Sequence, residues 1–223
     1  MSQQIDRTLD ILELMIERPD GLALGELALR LDLPKSTAHR LLAQLVDRGY
    51  LEREATTQHY RLTMRLTVLG FRYLAKTGLT DICQPELDDL AAQTGELVRI
   101  AMVDHDTLTW VAQAQGARYG LRYDGNIGRR VILPATATGK AWLSTMSDER
   151  AVEIVLKNGF GEGEVLGPNA IKTTAALLSE LAETRDRGYG TAWEEGVPGI
   201  AAVAAPIMGP EPCAPCVGTL SVA

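Results

Sequence analysis

One stretch of the sequence concentrates side chains that can donate hydrogen bonds to a polyanion. The donors fall within residues 35–44 and are Lys35, Ser36, Thr37, His39, Arg40 and Gln44. Each can reach a phosphate oxygen or the edge of a base, and no carboxylate follows them before Asp47. Taken alone, such a run is more often the solvated face of an amphipathic helix. Whether this run is a solvated helix face or a nucleic-acid contact therefore depends on the neighbouring elements.

A helix must position these donors. Apolar residues recur on its opposite stripe at i, i+3, i+4, i+7 and i+8, namely Ala38, Leu41, Leu42, Leu45 and Val46. We predict Pro34 in the first helical position, because proline has a preset φ and no N–H to leave unpaired. Gly49 is a typical stop signal, so the helix should end just before it.

Two further helices precede the donor helix, and a hairpin follows it. The first helix has a predicted core face of Ile5, Leu9, Leu12 and Ile16. The second has Leu24, Leu27, Ala28 and Leu31 on one face, and only a short turn separates it from the donor helix. Two short extended runs, 49–53 and 58–62, flank the polar turn 54–57 and predict the hairpin.

This order of elements is typical of a winged helix-turn-helix, which places one helix in the major groove of double-stranded DNA. The hairpin, with Arg53, His59 and Arg61, would reach a neighbouring backbone or the minor groove. We expect phosphate contacts from Lys35, Arg53 and Arg61 to set the affinity. We expect the sequence preference to come from base-edge contacts of Ser36, Thr37, His39, Arg40 and Gln44.

Composition and charge exclude several classes of protein. The 223-residue chain has a net charge of −7, yet residues 1–78 carry eleven Lys and Arg against ten Asp and Glu. Only that part can approach a polyanion without strong repulsion. No stretch reaches the roughly 18 apolar residues of a membrane helix, and no export signal is visible. Three cysteines make no disulfide framework, so we expect a reducing, cytoplasmic setting.

The rest of the chain predicts an α+β domain. A helix over 63–75 joins the two parts, a second helix ends at Gly95, and 97–104 and 108–115 form a strand pair. Further strands are predicted at 118–123, 189–193, 200–207 and 217–222, with helices near 135–146, 148–157 and 174–187. Strands on both sides of a helical block favour a largely antiparallel sheet.

Five segments, in order along the chain, carry a resemblance to a known family. They are RTLDILELM at 7–15, LALGELALRLDLPKSTAHRLLAQLVDRGYLER at 22–53, YRLTMRLTVLG at 60–70, LPATATGKAWL at 133–143 and RGYGTAWEEGVPGIAAVAAPI at 187–207. The chain thereby resembles the IclR family of bacterial transcription regulators. The resemblance implies a winged helix-turn-helix domain over 1–62, a linker helix over 63–78 and a GAF-like effector-binding domain over 79–223. It also implies a homodimer or a tetramer, with operator DNA and a small-molecule effector as partners.

The resemblance further implies where the effector would bind. In the family the pocket lies between the sheet and the segment matching 133–140, and several members hold a small carboxylate there with an Asp, a Cys and two Ser. At the matching positions this chain has Ala192, Ala202, Ser221 and Ala223. A pocket without those polar groups is larger and drier, which favours a bulkier organic acid, aromatic acids included.

The predicted effector-binding residues are therefore Ala135, Thr136, Ala137, Thr138, Ala192, Ala202, Ser221, Arg99 and Arg122. The two arginines lie on predicted strands, where they would either meet a carboxylate or face solvent.

The alternative is an enzyme that uses the winged helix as an interaction module. The pocket region shows no nucleophile–base pair or metal cluster, and Glu194-Glu195 is more simply a charged turn. The segment ending in Gly139-Lys140 lacks the first glycine and the final Ser or Thr of a phosphate loop. We predict no catalytic residue, no cofactor and no metal site.

Two departures from the family lie near the C-terminal end of the sequence. Cys213 and Cys216 occupy a long proline-rich turn, which is either an inert hairpin, the favoured interpretation, or a redox pair. Family members continue beyond the strand at 218–223 into a final helix that packs on the sheet. Without such a helix, an apolar strip of the sheet would be exposed.

Overall fold

The computed structural model describes residues 3–119 and 122–223. The chain divides into two compact units, of which the first ends at Gly78 and the second begins at Leu79. Together they give an α+β protein with a helix-turn-helix unit and an α/β unit built on an antiparallel sheet. No helix of the described chain is both long enough and apolar enough to cross a membrane.

The first unit has the predicted order of a winged helix-turn-helix. Its elements are α1 (Gln3–Ile16), α2 (Leu24–Arg30), α3 (Lys35–Asp47), β1 (Leu51–Arg53), β2 (Tyr60–Leu62) and α4 (Arg65–Thr77). The two strands pair antiparallel, with Glu52 opposite Arg61. One core holds the helices and the hairpin together, and its fully buried members include Ile11, Leu27, Leu41, Leu42 and Leu51.

Both ends of α3 depend on the residues singled out in the sequence. The prediction that Pro34 occupies the first helical position is wrong. Pro34 precedes that position as the N-cap, with an extended ψ of 135°. This follows from the restriction that proline places on its own φ while leaving ψ free. Gly49 lies just past the helix with a φ of 72°, a left-handed conformation that favours glycine.

The predicted core face of α1 is wrong at three of its four residues. Ile11 and Met15 are the buried residues of this helix and Leu12 packs partly buried against the core, whereas Ile5, Leu9 and Ile16 are all more than half exposed. The helix is apolar around most of its circumference, so periodicity alone fitted two faces. An apolar stripe on α1 therefore remains open to a partner.

The second unit contains a five-stranded antiparallel sheet of order β4-β3-β7-β6-β5. Its elements are α5 (Leu79–Thr94), β3 (Leu97–Asp104), β4 (Thr107–Gln115), α6 (Ala137–Leu143), α7 (Asp148–Asn158), α8 (Thr174–Arg187), β5 (Gly190–Trp193), β6 (Ala201–Met208) and β7 (Cys216–Val222). A 3-10 turn, Leu133–Ala135, precedes α6. The strand predicted at 118–123 is wrong for the described residues 118, 119, 122 and 123, which form no strand, and 120–121 lie outside the described part.

Alternate residues of the strands face two different layers. On one face, Val98 and Ile100 of β3 pack with Leu87 and Ala91 of α5. On the other face, Ala101 and Trp110 join the main core. This core also contains Trp142 and Leu143, at the C-terminal end of α6, and Leu177 of α8. The face with α6 to α8 is the one on which the effector-site prediction falls.

Helix α6 lies unusually close to the sheet, and two glycines allow it. A Cβ at Gly139 would collide with the carbonyl oxygen of Leu133, and a Cβ at Gly190 would collide with that of Ala137. Both contacts are to backbone, which cannot move aside as a side chain can. The start of α6 is thereby held against β5, and its small residues face the sheet.

Candidate functional site

The donor face of α3 is exposed as predicted. Lys35, Ser36, His39, Arg40 and Gln44 are exposed and Thr37 is half-buried, while Ala38, Leu41, Leu42 and Leu45 are buried beneath them. Within the described residues, neither Lys35 nor Arg40 forms an ion pair; the recorded pairs of this unit are Arg30 with Glu26 and Arg61 with Glu52. The two cations of α3 are therefore available to an external anion.

The N-terminal turn of α3 adds main-chain donors to this face. Pro34 offers no side chain to cap the helix, and no side-chain hydrogen bond is made to the first turn. The free N–H groups and the positive end of the helix dipole both favour an anion at this end. Lys35, Ser36 and Thr37 lie in this same turn, an arrangement that suits a phosphate contact.

The wing differs from the sequence-based expectation at one residue. Arg61 donates through Nε to Glu52 at 2.6 Å, and this carboxylate raises the pKa of Arg61. Arg53 lies with its guanidinium carbon 5.5 Å from the centre of the Tyr60 ring. Because Glu52 neutralises Arg61, a phosphate would have to compete for that guanidinium, whereas Arg53 has no competing carboxylate among the described ion pairs.

The structure adds two residues of α1 that the sequence did not indicate. A cleft of about 240 Å³ between the helices is lined by Gln4 and Arg7 of α1 together with Thr37 and Arg40 of α3. Gln4 Nε2 also donates to Gln44 Oε1 at 3.3 Å. Only the packing of α1 against α3 brings these donors to the same surface, so no local pattern could have found them.

We expect Arg7→Ala to weaken binding to DNA of any sequence, because Arg7 would contact phosphate rather than a base. The slope of log K against log salt should fall by about 1 in magnitude. Fluorescence anisotropy with a random duplex at several salt concentrations measures this slope. Arg18→Ala, an exposed arginine just beyond α1, is the control, and equal slopes for both variants would contradict the assignment.

In the second unit a cavity of about 50 Å³ lies between the sheet and the start of α6. Eight of the nine predicted effector-binding residues line it, and they are Arg99, Ala135, Thr136, Ala137, Thr138, Ala192, Ala202 and Ser221. A second chamber of about 150 Å³ adjoins it, since both chambers are lined by Arg99, Trp110, Tyr123, Thr136, Gly196 and Val197. The site is thus a two-chambered pocket. Its inner chamber is mostly apolar, whereas the outer one is also lined by Asp124, Asn126, Arg129, Arg130 and Glu164.

The ninth residue, Arg122, does not belong to this cavity. Its side chain is 59% exposed and donates to Asp124 at 2.6 Å, and it lines an open groove that adjoins the cavity along β5 and β6. Apolar Trp193 and Val203 are exposed in that groove. Trp110 and Tyr123, in contrast, line the cavity although no sequence pattern singles them out. The pairing of β3 with β4 brings Trp110 there.

Hydrogen bonding fixes the wall of the cavity that α6 supplies. Thr136 caps the helix by accepting a bond from Gly139 N at 3.1 Å, and its hydroxyl donates to Ile132 O at 2.9 Å. The Thr136 hydroxyl is therefore occupied within the protein. Ser221 Oγ, in contrast, is buried and has no partner in the described structure.

A buried cluster of charges holds the opposite wall. Lys140 of α6 is fully buried and donates to both carboxylate oxygens of Glu195, at 2.8 and 3.0 Å, while Glu180 of α8 lies 3.4 Å away. Glu195 begins the turn whose Gly196 and Val197 line both chambers. The ion pair therefore ties that turn to α6.

This cluster also bears on the enzyme alternative. Glu195 is committed to Lys140, and Glu194 accepts a hydrogen bond from Gly199 N at 2.9 Å, so the two neighbours do not present paired carboxylates to the cavity. Cys216 is buried in the main core, where burial raises the pKa of its thiol, whereas Cys213 is exposed. A raised thiol pKa disfavours redox reactivity and favours the inert hairpin.

Comparison with known proteins bears on both units. A family model described as the IclR helix-turn-helix domain matches residues 4–55, and one described as the C-terminal domain of the bacterial transcriptional regulator IclR matches residues 71–214. The HTH-type transcriptional regulator BhcR of Paracoccus denitrificans is 32% identical over 207 residues, which are 92% of this chain and 71% of that protein.

Solved structures share the fold at lower identity. The IclR transcriptional regulator from Alicyclobacillus acidocaldarius is 23% identical, with a TM-score of 0.82, over 100% of this chain and 87% of that one. An IclR homologue from Microbacterium hydrocarbonoxydans, complexed with 4-hydroxybenzoate, is 23% identical with a TM-score of 0.79, over 98% of this chain and 88% of that one. The same order of elements thus recurs across both units.

Proposed function

The chain belongs to the IclR family of bacterial transcriptional regulators, and on that premise we propose that it controls a catabolic or metabolic operon in response to a small-molecule effector. It would bind a pseudo-palindromic operator in the cytoplasm. The observation that carries this proposal is the exposed donor face of α3, on which Lys35 and Arg40 have no carboxylate partner in the described structure.

The contacts to DNA divide by type. We assign phosphate contacts to Lys35, Arg53 and Arg7, with Arg61 joining only where phosphate displaces Glu52. Base-edge contacts fall to Ser36, Thr37, His39, Arg40 and Gln44, whose side chains lie along the exposed face of α3. The first group would set affinity and its salt dependence, and the second would set sequence preference.

A dimer would match the symmetry of such an operator. In the first unit, Ile5, Leu9 and Ile16 of α1 are exposed, and α4 exposes Val68, Leu69, Phe71 and Tyr73. Apolar surface on this scale is typical of an interface. We propose that a second copy of the chain covers it, and that two such dimers form the tetramer if one exists.

The effector would occupy the cavity of the second unit. Its walls are mostly apolar because Ala192, Ala202 and Ala223 stand where several relatives place polar groups. We therefore propose a small organic acid, aromatic acids included, and the 4-hydroxybenzoate complex of the Microbacterium homologue suggests a first compound. The effector would act by binding one arrangement of the two DNA-binding units in the dimer more tightly than the other.

A titration tests this coupling. Operator DNA bound to the protein is titrated with 4-hydroxybenzoate and related acids while anisotropy reports the bound fraction. A compound that calorimetry shows to bind should change the operator dissociation constant by about 5- to 150-fold. Compounds that bind the protein yet all leave operator affinity unchanged would contradict ligand-responsive regulation.

A further inference from the structure

The cavity contains a buried cation without a counter-ion. Arg99 of β3 is 9% exposed, and its guanidinium carbon lies 3.8 Å from the ring centre of Trp110 and 5.4 Å from that of Tyr123. No carboxylate of residues 3–119 and 122–223 lies within ion-pair distance of it, whereas the buried Lys140 pairs with Glu195. Its Nε has no hydrogen-bond partner in the same residues.

Burial makes this arrangement costly. Removal from water lowers the pKa of Arg99, and contact with Tyr123 offsets the effect only in part. Aromatic faces attract a guanidinium, but they do not neutralise its charge. Nor do they accept the hydrogen bonds that its N–H groups donate in the plane of the guanidinium. A buried charge left without a partner is unfavourable. The position is therefore poorly explained as packing alone.

A hydroxyl group stands beside the cation. Arg99 pairs directly with Ser221 across β3 and β7, so both side chains project from the same face of the sheet. Ser221 Oγ is buried and likewise has no partner in the described structure. Both residues line the inner chamber, and Arg99 also lines the outer one. Two donors without partners in the described structure thus share the inner chamber.

We propose that Arg99 completes an anion subsite for the carboxylate of the effector, beside Ser221, where the family resemblance already implies a carboxylate contact. The proposal rests on the proposed function of the cavity. The guanidinium of Arg99 pairs with the negative charge of the carboxylate, and the rings of Trp110 and Tyr123 hold that guanidinium in place. The other walls, Ala135, Ala137, Ala192, Ala202 and Ile200, suit an apolar body. The class of ligand is a monocarboxylate with an apolar or aromatic body, and an amide of the same shape should be rejected.

Matched pairs of probes test this selectivity. Calorimetry compares benzoate with benzamide and 4-hydroxybenzoate with 4-hydroxybenzamide on the full chain. In the wild type at least one acid should bind about 10- to 100-fold more tightly than its amide, the range expected for hydrogen bonds to a charged group. Arg99→Met should remove this preference, and Ser221→Ala should reduce it. Arg150→Met, which alters a surface arginine paired with Asp106 and Glu153, should leave it unchanged.

Stability without ligand separates binding from packing. If Arg99 serves the ligand, Arg99→Met should melt at the wild-type temperature or above it, because an unpaired buried charge is removed. A purely structural arginine would give a lower melting temperature, and that result would overturn the proposal. The acid-over-amide preference of Ser221→Ala separately decides the role of the second donor.

The remaining outcomes are also decisive. Amides that bind as tightly as acids, acids and amides that both fail to bind, or a preference that survives in Arg99→Met would each overturn the anion subsite. A neutral compound that binds and changes operator affinity would overturn it while leaving the proposed regulator intact. Failure of the chain to prefer any operator would overturn the regulator but not the calorimetric result.

Discussion

Replacing Lys140 by Met is expected to lower the free energy of unfolding of the second unit by about 3–5 kcal/mol, because it leaves buried carboxylate without its cation. Glu195 is the carboxylate that loses its partner, because both of its oxygens accept hydrogen bonds from Lys140. Glu180 retains its ion pair with Arg187, at 3.0 Å. Urea unfolding followed by tryptophan fluorescence measures it. All three tryptophans, Trp110, Trp142 and Trp193, lie in the second unit, so the signal reports on that unit alone.

Two further variants control the experiment. Lys157→Met makes the same replacement at the surface, where Lys157 is 69% exposed and Asp106 keeps Arg150 as a partner, and it should change stability little. Adding Glu195→Gln to Lys140→Met removes the stranded charge and should recover part of the loss, a coupling that a double-mutant cycle measures. Equal stability of Lys140→Met and Lys157→Met would show that the cluster does not hold the cavity wall.

Replacing Arg40 by Ala is expected to remove most of the discrimination between operator and random DNA at the positions that Arg40 reads. A side chain that pairs with a base edge contributes about 1–3 kcal/mol of discrimination, a factor of roughly 5 to 150. Arg40 is exposed in the second turn of α3 and free of ion pairs in the described chain, so its guanidinium can reach the groove.

The matching control is Arg30→Ala on α2. Arg30 already pairs with Glu26 at 2.8 Å and lies outside the donor face, so its loss should affect neither specific nor random binding strongly. Competition between an operator duplex and a scrambled duplex of equal length gives the discrimination directly. If Arg40→Ala has the same ratio of operator to scrambled-duplex affinity as the wild type, Arg40 does not contact the bases that determine sequence preference.

The donor helix was predictable because its signals are local. The apolar spacing from Ala38 to Val46, the proline before it and Gly49 after it set the helix and its exposed face, and all of them lie within 16 residues of sequence. The face of α1 was not predictable in the same way. Its apolar residues exceed what one core can bury, and the stripe with Ile5 and Leu9 is left for a partner.

The cavity was predictable only through the resemblance to a family. The charged side chains in and around it were not predictable. The sequence shows Gly139-Lys140 as an incomplete phosphate loop and Glu194-Glu195 as a charged turn, yet Lys140 and Glu195 form one buried pair across 55 positions. Arg99 and Arg122 looked equivalent on predicted strands, and burial separates them: one lies in the cavity and the other lies in solvent with Asp124. Such pairings depend on tertiary contacts that no local pattern records.

The most direct test of DNA reading by α3 is the binding of the wild-type chain to DNA from immediately upstream of its own gene. Fluorescence anisotropy at two salt concentrations compares this fragment with a scrambled one of equal length. We expect tighter binding to the upstream fragment, with both affinities falling as salt rises. Equal affinity for the two fragments, insensitive to salt, would contradict a DNA-reading role for α3.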